Sequence, residues 1–380
     1  MAVAQAGEKR DFEVLVSEPW TVAALEAGPT GGPRGGGANL LQLTNGAIGC
    51  SFTEDEQSIG LLSTDKGVTW SRTDRFPGEC NCFGVLSDGT VLAMAYMQGV
   101  RMTAPGEFIY PRWISRDGLK TWEGPLDTPV HVPKGTGGTG DNMKPYPGPL
   151  FWDRILEVPD GRLLAPMYGY FEGDTVPITG FKPTEGFYKY RTLLVESRDR
   201  GASWSLVSTV AYDPQVGQES FCEPSLVGFP DGELVCIMRT GYTHDPMYVS
   251  RSKNGGRRWS KPVSTGLVGV APRLLWLHDG ILACTYGVKE YDGNRRERRL
   301  MFSRDRGRTW SHHTVVYAGY GGSYPECIAI EPGKLLCAYN VPGFKEPESP
   351  YYKRWYFLMS TITIRPLEPH QKFVPFPVSR

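Results

Sequence analysis

The sequence predicts an all-β chain, a six-bladed β-propeller, on three observations: a recurring octet, a recurring hairpin turn, and a small residue at one register in every unit. Composition sets the frame. Gly (46) and Pro (31) make up about a fifth of the 380 residues, above ordinary usage, while 10 Trp, 19 Tyr and 16 Phe supply core. Turn formers in excess beside many aromatics point to short strands. Lys plus Arg and Asp plus Glu are balanced at 41 each, so the chain lacks the field of a nucleic-acid or membrane-surface binder. No apolar run approaches the roughly 20 residues of a spanning helix.

The octet Ser-x-Asp-x-Gly-x-x-Trp runs from Ser63 to Trp70, from Ser197 to Trp204 and from Ser303 to Trp310. Two variants join it: Ser115 to Trp122 has its Gly one place early, at Gly118, and Ser252 to Trp259 carries Asn254 for Asp. From one octet to the next the steps are 52, 82, 55 and 51 residues. Each reads as a hairpin turn in which the Asp or Asn oxygen caps an amide two residues on, Gly supplies positive φ and Trp folds over as an apolar plug. Five equivalent turns cannot be one active site, so their acidic residues read as structural.

A second repeat alternates with the first. Apolar runs flank Asn45-Gly46, Asp88-Gly89, Asp160-Gly161, Asp231-Gly232, Asp279-Gly280 and Pro332-Gly333, which are hairpin signals between buried strands. Six copies imply six small antiparallel sheets of three or four strands. Sheets that bury both faces only against neighbours close into a ring. The chain is therefore expected to be a single domain over 1–380, with an N-terminal strand at about 11–16 closing the last blade beside Trp355 to Ile364.

Cys50, Cys236, Cys284 and Cys337 each lie four residues after their turn Gly, where the other two units have Ala93 and Ala165. One small residue at that register predicts close packing between blades and argues against a disulfide framework. Cys80 and Cys82 lack the second pair of a zinc site, and the six His form no ligand-spaced motif, so neither metal nor cofactor is expected. The N-terminus lacks a hydrophobic signal core, which suggests a cytoplasmic protein, or a secreted one whose signal peptide is absent from this chain.

The octets and hairpins, over roughly residues 11–365, resemble the sialidase (neuraminidase) superfamily, whose octet is called the Asp-box. The resemblance implies a six-bladed propeller with its site at the central axis, on the face away from the Asp-box turns. Members hold a sugar carboxylate with three arginines and attack with a tyrosine whose proton passes to a glutamate. By this resemblance Glu223 is the glutamate and Arg239, 16 residues on, the second arginine. Arg295, eight residues before Ser303, is the third, with Arg296, Arg298 and Arg299 in the same run. Tyr324, 14 residues after Trp310, is the nucleophile.

The family's first arginine opens an Arg-Ile-Pro sequence. Here its counterpart is Arg34, in Gly-Gly-Pro-Arg-Gly-Gly-Gly, two residues further from its turn Gly than that pattern places it. The general-acid aspartate falls among Glu54, Asp55 and Glu56, and Asp55 fills that place. The resemblance thus implies a cofactor-free retaining exo-glycosidase that removes a terminal sialic acid or related nonulosonic acid from a sialoglycoconjugate or other acidic glycan. A related propeller glycosidase of exo-arabinanase type, a polysaccharide lyase and a non-catalytic carbohydrate-binding propeller are the alternatives. The long second step contains the Gly-rich stretch 135–140 and the segment Phe171 to Tyr190, expected either to form a rim that touches the substrate or to extend a blade edge.

Overall fold

The computed structural model describes residues 11–26, 39–54, 57–73, 76–77, 79–140, 145–182, 184–242, 244–277, 280–289, 295–320, 324–341 and 354–367. Among them every regular element longer than a turn is a β-strand. The strands run as antiparallel meanders. Asn39–Gln42, Ile48–Glu54, Gln57–Ser63 and Ser71–Thr73 make the first sheet. Cys222–Gly228, Leu234–Arg239, Pro246–Ser252 and Val263–Val268 make another, followed by Val270–Trp276, Leu282–Lys289, Arg295–Ser303 and Ser311–Tyr320.

Between these lie a meander starting at Cys80–Val85 and one centred on Leu163–Phe171. Parallel pairs Val130↔Trp204 and Asp153↔Cys82 join the two into one continuous sheet. In the last sheet, Glu326–Glu331 and Lys334–Val341 continue into Arg354–Pro366. Phe12–Val16 lies alongside, with Val14 opposite Ile364, so the two ends of the sequence share one sheet.

Apolar clusters fill the space between successive meanders. Leu41 and Phe83 belong to one, Met94 and Ala165 to the next, then Leu164 and Cys236, Ile237 and Cys284, and Phe302 and Cys337. A further cluster packs Leu336, Ala338 and Met359 of the last sheet against Leu40, Cys50 and Ile59 of the first. The sheets therefore return to their start, as a propeller. The small positions 50, 93, 165, 236, 284 and 337 are all 0% exposed, so a larger side chain there meets a neighbouring sheet directly. All eight cysteines are buried and none forms a disulfide.

The octet turns share one construction. The seryl oxygen accepts the amide of the residue four on, at 2.8 Å in Ser63–Gly67 and 2.7 Å in Ser197–Gly201. The carboxylate of Asp65 likewise accepts the Thr69 amide, and Asn254 accepts that of Arg258, both at 2.9 Å. The cap therefore reaches four residues rather than two, because two consecutive residues take positive φ: Lys66 and Gly67, Arg200 and Gly201, Arg306 and Gly307. In the variant with its glycine early, Gly118 (φ 73°) fills the first of these places and Leu119 (φ 70°) the second. Leu119 offsets its backbone cost by burying its side chain fully among Leu41, Phe83 and Ala93.

In an antiparallel meander the first and third turns fall at the same end. Arg200 of one octet accordingly meets Asp88 of a neighbouring hairpin, and Arg306 meets Asp231. Glu223, Arg239 and Tyr324 lie at the opposite end, where the long insertion also sits. The insertion pairs Gly135–Thr136 with Phe171 and Tyr170, and bridges Tyr190 to Ser220.

Gly256 and Gly161 separate backbone strain from packing. Both have φ near 80°, but a Cβ on Gly161 meets nothing within 4 Å, whereas on Gly256 it falls 2.1 Å from Leu194 Cδ2. Gly161→Ala should lose about 1 kcal/mol, and Gly256→Ala about 2–4 kcal/mol, in urea denaturation. Equal losses would mean that the octet turn is not packed between sheets.

Candidate functional site

Glu223 stands where the inner strand Cys222–Gly228 bulges: the ladder to Leu234–Arg239 shifts between Cys222 and Ser225, and Glu223 itself has φ 43°. The next inner strand bulges in the same way at Ala271 (φ 46°). Such bulges re-aim a side chain and hold a backbone that costs about 1–3 kcal/mol for a non-glycine residue. The Ala271 amide, freed from its ladder, donates to Glu223 Oε2 at 2.9 Å. Tyr324, just ahead of the inner strand Glu326–Glu331, donates its hydroxyl to Glu223 Oε1 at 2.8 Å.

Arg239 ends the second strand of the same sheet and is 1% exposed. Its Nε and Nη2 donate in parallel to the two oxygens of Glu219, both at 2.8 Å, and its Nη1 meets Glu223 Oε1 at 2.7 Å. The Tyr242 ring covers the guanidinium, its centroid 3.9 Å from Cζ. Burial works against this charge, but Glu219 and Glu223 outweigh it and raise the Arg239 pKa well above its ordinary value. Glu219, 0% exposed, also accepts from the Cys222 thiol. Phenol, carboxylate, guanidinium and carboxylate thus form one hydrogen-bonded chain from the half-buried Tyr324 to the fully buried Glu219.

Two further cations border this chain. Lys289 Nζ lies 4.0 Å from the centroid of the same Tyr242 ring, and Arg296 is the direct cross-strand partner of Lys289. Burial pushes the Lys289 ammonium down to about 7, helped by the like charges of Arg239 and Arg296 and opposed by Glu223 and Glu219. Burial lowers Arg296 too, against the opposing effect of the Tyr324 and Tyr242 hydroxyls.

Aromatic side chains wall the other side. Trp152 and Tyr168 are each 4% exposed, Trp152 meets the Tyr324 ring edge-on at 6.3 Å, and the Tyr96 and Tyr168 hydroxyls bond at 2.9 Å. Burial raises the Tyr168 pKa well above 10, so it is a neutral phenol. The insertion braces this wall: Phe187 and Tyr190 are buried in it, and Phe181 packs on both Phe187 and Tyr242. It therefore touches the site through Tyr242 and also extends the sheet edge.

Of the residues singled out in the sequence, Glu223, Tyr324 and Arg239 converge here. Arg34 and Asp55 lie outside the described residues. Arg295 is described only by its backbone, opposite Tyr320 in its strand. The sequence reading missed Glu219, Tyr242 and Lys289. A second glutamate four residues before Glu223 was the one available signal. Among the described residues no group of three His, Cys, Asp or Glu is placed to hold a metal ion.

Comparison with known proteins places this geometry in context. The family described as "BNR repeat-like domain" matches residues 81–337. No curated protein sequence matches the chain. Among solved structures, a protein of unknown function from Dyadobacter fermentans is similar at 20% identity and a TM-score of 0.64, over 91% of this chain and 99% of that one. A NanB sialidase variant from Streptococcus pneumoniae aligns at 11% identity and a TM-score of 0.58, over 96% and 72% of the two chains. An α-L-arabinanase from Penicillium chrysogenum, complexed with arabinobiose, aligns at 14% and 0.58, over 90% and 98%.

Two measurements probe the buried charges. Glu219→Gln replaces a bidentate charge-assisted pair with a neutral amide and leaves Glu223 as the one carboxylate on Arg239, so it should cost about 1.5–3 kcal/mol in denaturant unfolding, against about 1 kcal/mol for Tyr324→Phe. Similar small losses would mean that water reaches Arg239. Lys289 titrates near 7 when folded and near about 10.4 when unfolded, so between those values the unfolded chain binds the extra proton and stability rises with pH. Lys289→Met should flatten that rise in denaturation midpoints followed across the same window. An unchanged slope would assign it to other groups.

Proposed function

The chain belongs to the BNR repeat-like domain family and carries the propeller fold of the sialidase superfamily, and we propose that it is a six-bladed, single-domain retaining exo-glycosidase acting on a terminal acidic sugar. Six apolar clusters between successive sheets, the last returning to the first, support the blade number. The observation that carries the catalytic reading is the 2.8 Å hydrogen bond from Tyr324 to Glu223, within a buried charged chain on the face opposite the octet turns.

A phenol with a pKa near about 10 is a weak nucleophile until a carboxylate takes its proton. Glu223 is in contact to do so, and Arg239 together with the Ala271 amide fixes both of its oxygens. Tyr324 attacks the anomeric carbon as the glycosidic bond breaks. The Tyr324 proton passes to Glu223, and Asp55 supplies a proton to the leaving oxygen. Water then attacks the glycosyl-tyrosine, giving its proton to Asp55, while Glu223 returns a proton to the departing Tyr324 oxygen, and the two displacements return the starting anomer. A neutral nucleophile avoids repulsion from an acidic sugar's carboxylate. Arg34 and Arg295 are assigned to that carboxylate, while Arg239 acts as a positioning residue.

A neutral-sugar glycosidase is the second reading. It is favoured by the engagement of Arg239, which meets Glu219 through Nε and Nη2 and Glu223 through Nη1. The deciding assay is release of 4-methylumbelliferone from its α-sialoside by the wild type and by Tyr324→Phe. Turnover that falls by roughly 10³-fold or more in the variant is the expected result, given the barrier a lost nucleophile imposes. A folded wild type that ignores the α-sialoside but cleaves an α-arabinoside would replace this reading with the second.

A further inference from the structure

One octet turn differs from the rest in charge. Asn254 takes the place of the aspartate that the other four octets carry, and Lys253, Arg257 and Arg258 put three cations on a turn with no acidic residue. Lys261 follows directly after it. Among the described residues no carboxylate lies within ion-pair distance of Lys253, Arg257, Arg258 or Lys261. Beside this turn, Glu233 is shared by Arg251, Arg306 and Arg308. Positive charge is therefore in excess on this part of the octet face, in a chain that is neutral overall.

The same turn borders a cavity of about 550 Å³, on the face opposite Tyr324 and Glu223. Hairpin turns of two neighbouring sheets, 157–162 and 228–234, frame it, and Leu156, Phe229 and Trp276 give it an apolar wall. Trp276 is half-buried and packs edge-on against Phe229, with ring centroids 4.7 Å apart. Lys253 and Gly255 form part of the rim. A Cβ on Gly255 would lie 3.2 Å from Arg162 Nη2 and 3.9 Å from Arg257 Nη1, so guanidiniums from two sheets converge over one glycine. The acidic residues of the rim are already engaged: Asp160 accepts Arg162 Nε, and Glu157 accepts the Ser87 amide.

We propose that this cavity and the octet turn beside it form a second binding site, for a chain of acidic polysaccharide, separate from the Tyr324 pocket. Trp276 takes the apolar face of a sugar ring, while Lys253, Arg162 and Arg257 take the carboxylate or sulfate that the chain carries. A cavity recessed between hairpin turns admits a sugar ring, whereas a duplex or a flat membrane meets only the cations at its edge. The partner class rests on the glycosidase reading, though binding alone tests the site. Such a site keeps the protein on a polymer without adding any contact at the reacting bond.

The test uses the full chain carrying Tyr324→Phe, so that nothing turns over. It is titrated by calorimetry with oligogalacturonate, dextran sulfate oligomers, neutral dextran oligomers, polyglutamate and oligothymidylate. One of the two acidic glycans should bind roughly ten-fold more tightly than dextran, the size of one charge-assisted contact, and should weaken as salt is raised. Lys253→Ser combined with Arg257→Ser, both on an exposed turn, should remove that margin and leave the denaturation midpoint in place. Trp276→Leu keeps an apolar wall against Phe229 but lacks the flat ring. It should weaken the acidic glycan several-fold and leave polyglutamate, which has no sugar ring, unchanged.

Acidic-glycan binding unchanged in the Lys253 and Arg257 double variant would overturn the site. Polyglutamate or oligothymidylate binding as tightly as the better glycan would overturn it too. Binding that depends on Lys253 and Arg257, in a chain whose wild type hydrolyses no glycoside, would keep the site and remove the glycosidase reading. Hydrolysis of an α-sialoside by a wild type that prefers neither acidic glycan over dextran would do the reverse.

Discussion

A sheet that is apolar on both faces can be satisfied only by a neighbour on each side, and in this chain that requirement propagates from the turns to the site. The ring it forces brings the inner strands together at the centre, where their polar groups and charges meet away from water. Unpaired, those groups would each cost several kcal/mol, about as much as a domain's whole margin of stability allows. They are paired instead. Asp153 accepts Arg273, the Ser225 hydroxyl and the Leu226 amide, while Glu326 accepts Arg154 and the Leu40 amide. Each of these bonds crosses from one sheet to another, so the axis is held by contacts that exist only once the ring has closed.

The same logic shapes the site. A guanidinium at 1% exposure persists because Glu219 meets its fork with two parallel bonds and Glu223 takes the remaining edge. This arrangement spends Arg239 on geometry. It holds the Glu223 oxygen that accepts the Tyr324 hydroxyl, so the hydrogen bond between them keeps one geometry. The strained backbone at Glu223 fits this view, since its φ of 43° is maintained by neighbours that fix both carboxylate oxygens.

Much of this was legible in the sequence because it repeats. Asp-Gly or similar turns and the small residue four places beyond each recur six times and the octets five, and each has a local physical cause. The early glycine of the second octet was legible too, although its meaning was not: the order of two left-handed residues is exchanged, and Leu119 fills the second place. Glu223, Arg239 and Tyr324 were found through spacing shared with a family. What the spacing could not tell is what Arg239 touches, because its partner Glu219 is an ordinary glutamate four residues upstream. Tyr242 and Lys289 were hidden for a related reason. They come from connecting segments and strand ends of different sheets, and only ring closure brings them to one place.

Charge bookkeeping then links the two halves of the pocket. Glu219, Arg239 and Glu223 together carry one net negative charge, and a neutral Tyr324 adds none. Lys289 and Arg296 bring two positive charges beside it when both are protonated. Burial, with the like charges of Arg239 and Arg296, lets Lys289 shed its proton near neutrality. The fixed pair of Tyr324 and Glu223 can therefore remain rigid, while the adjustment of charge falls to a lysine on the neighbouring sheet.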